Sequence, residues 1–174
     1  SAHITLCTRS WTQGIFQDVD FIDDILTIEP NESIFQQAKK WRKGNFDLAI
    51  LFTNSFQTAF ISKLGKVKKS FGYANEGRSF LLTNSIEKPD WKDERHEIYY
   101  YLNLVSNVEK HYFSTISKQN PQFNLTVSES RQQEAKKILE KNGIDLSKKL
   151  IVFCAGSTNS RAKRWQSESY AGLN

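Results

Sequence analysis

The sequence predicts an α/β chain organised around a parallel sheet, on three observations. The segments F-D-L-A-I-L-F (46–52) and L-I-V-F-C (150–154) are short, apolar and rich in branched residues. Strands of that kind are covered on both faces, as in parallel sheets. Segments of strand character alternate with segments of helical spacing, the pattern of crossover connections. Both apolar runs lead into small polar residues, Thr53-Asn54-Ser55 and Ser157-Thr158-Asn159. In parallel sheets, ligands gather at the carboxyl ends of the strands.

Taken in order, residues 3–8 alternate and read as a strand. Residues 10–18 read as a short helix or loop with Trp11, Ile15 and Phe16 facing inward. Residues 22–28 form a second strand, ended by Pro30. Asn31 is placed to cap a helix over 32–43, with Ile34, Ala38 and Trp41 at helical spacing and Gly44-Asn45 at its stop. The strand 46–52 is followed by a helix over 56–64, Gly65, and a strand over 70–73. Residues 74–92 read as a long irregular stretch. Asp93 opens a helix to residue 110 whose apolar stripe is Ile98, Tyr101, Leu102, Val105 and Val108; Tyr99 and Tyr100 read as core or interface. Residues 123–127 alternate as a strand. Thr126 and Glu129 form a capping box for a helix over 128–142, with Ala135, Ile138 and Leu139 buried and Gly143 beyond its end. The strand at 150–154 follows, and Ser167 is placed to cap a last helix.

Length and composition set further bounds. A chain of 174 residues buries a real core, and its apolar and charged fractions are those of a soluble globular protein. The net charge of +5 comes from Lys and Arg spread along the chain rather than gathered in one tail. That balance suits anionic ligands or an anionic membrane surface without demanding nucleic acid. Cys7 and Cys154 fall inside predicted strands, so buried free thiols in a reducing compartment are expected rather than a disulfide. No signal-peptide pattern and no apolar run long enough to span a bilayer is read in these residues, and a cut start could hide a targeting segment. His3, His96 and His111 share no metal-ligand spacing, and Asp23-Asp24 reads as a solvated acidic pair, so no metal is expected. The chain starts in a strand pattern without Met and stops within a helix pattern; the expectation is a fragment cut at both ends.

The stretch 150–165 has the layout of an anion site: a strand, a small polar loop, cations, then a helix start. Loop N–H groups and the hydroxyls of Ser157 and Thr158 donate to phosphate oxygens, and Lys163 supplies full charge. The same residues also describe a solvated basic loop. Arg78 lies in a loop longer than a compact domain needs, as binding loops do, and also reads as an exposed structural arginine. Asn54 and Ser55 stand at the carboxyl end of a strand, and equally as helix caps.

Three segments carry a resemblance. D-L-A-I-L-F-T-N-S-F-Q-T-A-F (47–60) is similar to a strand that ends in an N-S-F turn. F-G-Y-A-N-E-G-R-S-F-L-L-T (71–83) is similar to a G-(aromatic)-x-x-E-x-R-x-x-L-L segment. F-C-A-G-S-T-N-S-R-A-K-R-W (153–165) is similar to an F-C-P-G-A-x-x-x-x-A-K-R-W motif. Together these resemble the ADP-heptose:lipopolysaccharide heptosyltransferases of glycosyltransferase family 9, and within it the type II branch. Ala155 and Gln166 depart from the pattern, each standing where the family has Pro.

The resemblance implies a two-domain GT-B enzyme of two Rossmann-like halves with the active site in the cleft. Residues 1–145 would be the N-terminal acceptor-side domain without its first strand, and 146–174 the start of the nucleotide-sugar domain. The implied donor is ADP-L-glycero-D-manno-heptose and the acceptor is the lipopolysaccharide inner core, at the cytoplasmic surface of the inner membrane, with no cofactor, no metal and no nucleic acid. Lys163, Thr158 and Ser157 match donor-phosphate positions; Arg78, Asn54 and Ser55 match acceptor-side positions. The general base of an inverting displacement would lie before Ser1, so no catalytic residue is assigned and the chain by itself is expected to be inactive. Two other readings stay open. One is a nonenzymatic nucleic-acid or anion-binding module, using the basic loop with Trp11, Trp41, Trp91 and Trp165. The other is a related sugar-nucleotide transferase with another donor.

Overall fold

The computed structural model describes residues 2–114, 116, 117, 121, 122, 125–153, 156 and 164–172. Contacts divide the chain into two units, Ser1–Thr126 and Val127–Asn174.

The first unit is a parallel α/β arrangement. Strand β1 (Thr5–Arg9) pairs with β2 (Asp24–Ile28), and β3 (Leu48–Leu51), β4 (Lys69–Tyr73) and β5 (Asn84–Ile86) pair in that order. All three pairings are parallel. Helices α1 (Ile34–Gly44) and α2 (Phe56–Leu64) make the crossovers on either side of β3, and α3 (Glu97–Phe113) follows β5. Strand β3 has both faces covered, as its apolar run requires. Ala49 and Leu51 pack with Ala38 and Trp41 of α1 and Ala59 and Ile61 of α2. Leu48 and Ile50 pack with Phe71, Tyr73, Tyr100, Leu104 and Val108.

Several local expectations are corrected. Between β1 and β2 the chain makes a 3₁₀ turn, Ser10–Phe16, in which Trp11 and Ile15 face outward. Three residues per turn change which side chains share a face, and Val19 is the buried residue of this connection. Helix α1 is capped by Ser33 rather than Asn31. Ser33 Oγ accepts from Gln36 N, and the Gln36 side chain accepts from Ser33 N at 2.7 Å. The reciprocal box needs a side-chain acceptor three residues after the cap; Ser33 has Gln36, whereas Asn31 has Ile34. Asn45, left-handed at φ 48, ends α1 where expected.

Strand β5 lies inside the stretch read as irregular. It is only three residues long and two of them are polar. A hydroxyl exchange with β4 pins it: Ser70 N donates to Thr83 Oγ1 at 2.7 Å and Thr83 N donates to Ser70 Oγ at 3.1 Å. Helix α3 starts at Glu97, after a 3₁₀ turn at Asp90–Asp93, and not at Asp93. Its buried stripe is Tyr100, Leu104 and Val108, while Tyr101 and Leu102 are more than a third exposed. This helix is apolar around most of its circumference, so several stripes have helical spacing. The stack of Tyr100 on Tyr73, 4.0 Å between ring centroids, selects one of them.

The second unit holds α4 (Glu129–Lys141) and α5 (Ser167–Ala171). Ser128, not Thr126, is the N-cap of α4, and Gln166 that of α5. Ala135 and Ile138 are exposed and Leu139 is half-buried, against the expectation of burial. Residues 125–127 and 150–153 are not strands, and Leu150, Ile151, Val152 and Phe153 are all exposed. A strand needs a hydrogen-bonded neighbour, and among the described residues of this unit there is none. Phe153 and Trp165 instead meet the Tyr170 ring, at 5.8 and 5.0 Å. Among the described residues no helix is long and apolar enough to cross a membrane.

Chemical denaturation separates the two stripes of α3. Leu104→Ala is expected to cost about 2–5 kcal/mol and Leu102→Ala under about 1 kcal/mol. At the start of α1, Ser33→Ala is expected to cost about 1 kcal/mol and Asn31→Ala close to nothing.

Candidate functional site

The carboxyl ends of β3 and β4 are joined by one side chain. Arg78 is fully buried, at 0% exposure. Its Nε donates to Tyr73 O at 2.9 Å, and its Nη1 donates to Thr53 O at 2.5 Å and Ser55 O at 3.0 Å. These carbonyls belong to the end of β4 and to the turn that leads from β3 into α2. One planar guanidinium thus ties two adjacent loops, using the fixed fork of donors that arginine alone provides. Burial lowers the Arg78 pKa, opposed by Tyr100 and Glu76; arginine remains charged regardless.

The loop before Arg78 is built to aim it inward. Arg78 N donates to Asn75 O at 3.1 Å across Glu76 and Gly77, both left-handed at φ 52 and 66. Two successive left-handed residues make a tight reversal that Gly accepts freely and Glu accepts at a cost. The exposed Glu76 carboxylate accepts from Phe56 N, in the first turn of α2, at 3.2 Å. A carboxylate there complements the positive end of the helix. Gly72 leaves room for the guanidinium: a Cβ at that position would stand 3.1 Å from Arg78 Nη2 and 3.3 Å from Leu82 Cδ1.

A second network reaches the same turn from α3. The Tyr100 hydroxyl donates to Asn54 Oδ1 and accepts from Asn75 Nδ2, both at 3.3 Å. Tyr73 Oη donates to Tyr100 O at 2.6 Å and accepts from Asn103 at 2.9 Å. Burial raises the Tyr73 pKa, with the Asn103 bond opposing it. Around this frame Phe52, Phe56, Phe80 and Tyr101 stand exposed.

The sequence-derived candidates fall into two groups. Arg78, Asn54 and Ser55 come together. Arg78 spends its described hydrogen bonds on main chain and offers no surface. Ser55 Oγ accepts from Gln57 N at 3.1 Å as the cap of α2, and Asn54 is half-buried beside Tyr100. Lys163, Thr158 and Ser157 lie outside the described residues, as does Cys154; Cys7 is a half-buried free thiol whose pKa burial raises. Sequence reasoning read Tyr100 as core or interface, in line with its burial, and gave no role to Tyr73 or Glu76, although both stand inside the quoted 71–83 segment. Of the tryptophans that suited a nucleic-acid surface, Trp41 is buried in the core, while Trp11 stays exposed with the Arg9 guanidinium 5.9 Å from its ring.

Two substitutions test the clamp by denaturation. Arg78→Lys is expected to cost about 3 kcal/mol or more, because a single ammonium cannot serve three carbonyls in this geometry. Gly72→Ala is expected to cost about 1–3 kcal/mol by crowding the guanidinium.

Comparison with known proteins places this frame in a family. Residues 34–174 match the profile of Glycosyltransferase family 9 (heptosyltransferase). The chain is 26% identical to Lipooligosaccharide heptosyltransferase 2 of Haemophilus influenzae, over 99% of this chain and 51% of that protein. It is 23% identical to the protein of the same name from Haemophilus ducreyi, over 99% and 50%. The chain therefore spans about half the length of these relatives. The fold is similar to E. coli ADP-heptose lps heptosyltransferase II, with TM-score 0.77, 19% identity, and 99% of this chain and 51% of that one covered. It is also similar to the glycosyl transferase family 9 structure from Veillonella parvula, with TM-score 0.78, 19% identity, and 98% and 49% covered. With the family profile matched over most of its length, this chain belongs to glycosyltransferase family 9, the heptosyltransferases.

Proposed function

We propose that this chain is the acceptor-side domain of a type II heptosyltransferase together with the first donor-side residues, 146–174. Such an enzyme moves heptose from ADP-L-glycero-D-manno-heptose to the lipopolysaccharide inner core, working in the cytoplasm at the inner-membrane surface. The observation that carries the reading is the Arg78 clamp. It holds the 53–55 turn and the 74–78 loop as one rigid frame at the carboxyl ends of parallel strands, where ligands of such sheets bind.

In this reading the acceptor sugar meets Asn54, Ser55 and the exposed Glu76. Arg78 is a positioning residue, acting through the turn whose carbonyls it holds. The transfer breaks the bond between the heptose anomeric carbon and the ADP oxygen, and forms a bond to an acceptor hydroxyl, which gives up its proton. Negative charge grows on the departing diphosphate, and cations with short hydroxyl donors lower that barrier when they are already in place. Lys163, Thr158 and Ser157 are proposed for that task.

Binding of the two ligands tests the reading on the chain as it stands. By saturation-transfer NMR, a purified inner-core oligosaccharide is expected to bind, and Asn54→Ala to weaken it roughly fivefold, the worth of one hydrogen bond. ADP-heptose is expected to bind and to be lost in Lys163→Ala. A coupled ADP-release assay on the chain alone is expected to show no turnover. Oligosaccharide binding indifferent to Asn54, together with ADP-heptose binding indifferent to Lys163, would overturn the assignment.

A further inference from the structure

The charges of this chain are segregated in a way that the sugar site does not use. Between Glu32 and Glu76 the sequence holds eight lysines and arginines and a single acid, Asp47. That acid is engaged by Lys68 at 2.6 Å, and Lys40 is held by Glu32. Lys39, Arg42, Lys43, Lys63 and Lys66 are exposed and carry no ion pair among the described residues. Lys39, Arg42 and Lys43 share one face of α1 with Phe35 and Ala38, at helical spacing. Phe35 is 74% exposed. These five residues and Leu64 of α2 line an open groove of about 590 Å³, with Ala38 and Leu64 as its apolar floor. Lys63 and Lys66 lie at the end of α2 and in the turn after it.

We infer that the outer face of α1 and the end of α2 dock onto an anionic lipid bilayer. The face pairs a cationic rim with a protruding aromatic ring. That is the composition of a helix that lies in the plane of a membrane interface, its cations on headgroup phosphates and its ring at the acyl boundary. A nucleic-acid groove is a poorer match, because single-stranded binding rests on several stacking rings and this face presents one. The inference rests on the membrane-side location proposed above and supplies its contact surface.

Co-sedimentation of the 174-residue chain with lipid vesicles tests it. The chain is expected to bind vesicles containing phosphatidylglycerol, to ignore pure phosphatidylcholine, and to be released by salt. The triple variant Lys39→Glu, Arg42→Glu, Lys43→Glu is expected to lower the partition coefficient roughly a hundredfold or more. Lys39→Gln and Lys43→Gln, milder changes at exposed positions, should each lower it about fivefold. Phe35→Ser should weaken binding without altering its salt dependence. Reversal of the same number of charges on α4, in Lys136→Glu, Lys137→Glu, Lys141→Glu, should leave most of the binding intact. Equal loss in the α4 variant, equal binding to phosphatidylcholine, or displacement of vesicles by an RNA oligonucleotide would overturn the inference. Oligosaccharide binding measured without vesicles is expected to persist in the α1 variants. Its absence from the unaltered chain would count against the transferase reading and leave the docking surface standing.

Discussion

The structure of the first unit depends on how a buried guanidinium is satisfied. An arginine with no exposed surface loses its hydration, and the hydrogen bonds it keeps must offset that loss; Nε and Nη1 have theirs, while the buried Nη2 has no hydrogen-bond partner among the described residues. Arg78 finds three carbonyls at the ends of β3 and β4, in the region where parallel strands stop bonding to each other and leave acceptors free. The loop reversal at Glu76 and Gly77, the missing side chain at Gly72 and the cap at Ser55 all serve that arrangement. The left-handed Glu76 accepts local strain so that the charge sits where the acceptors are.

The tyrosine pair adds the third element. Tyr73 lies on the sheet and Tyr100 on α3; their rings stack nearly parallel, with 16° between planes. Their hydroxyls then point to different partners. One holds the α3 backbone, and the other reaches Asn54 in the turn that Arg78 already grips. Sheet, α2 turn and α3 are therefore coupled through two polar networks that meet at residues 53–55. A site of this kind gains its precision from the elements beneath it, since loops alone hold geometry poorly.

Surface charge obeys a different logic from the core. The acids of the first unit concentrate before α1 and after β4, and the helix pair between them is left almost purely cationic. Like charges crowded on one face repel one another and contribute little to stability. Their presence beside an exposed phenylalanine is therefore better understood through what the face meets than through what it stabilises.

The sequence by itself determined the elements whose signals are local. The α2 boundaries, the Asn45 stop of α1, the two-sided burial of β3 and the parallel class follow from caps, turn residues and apolar runs, which act within a few residues. The family was legible too, because three motifs stand in order along the chain. Tertiary structure decided what depends on a distant partner. Strand β5 is pinned by the hydroxyl exchange of Ser70 and Thr83; the stripe of α3 was chosen by Tyr73; the 150–153 run is no strand, since no described residue pairs with it. Arg78 is the clearest case. Its place in a long loop marked it as important, but whether a charge faces solvent or is spent on carbonyls depends on which backbone groups the fold leaves unpaired. That is a property of the assembled sheet, not of the residues beside it.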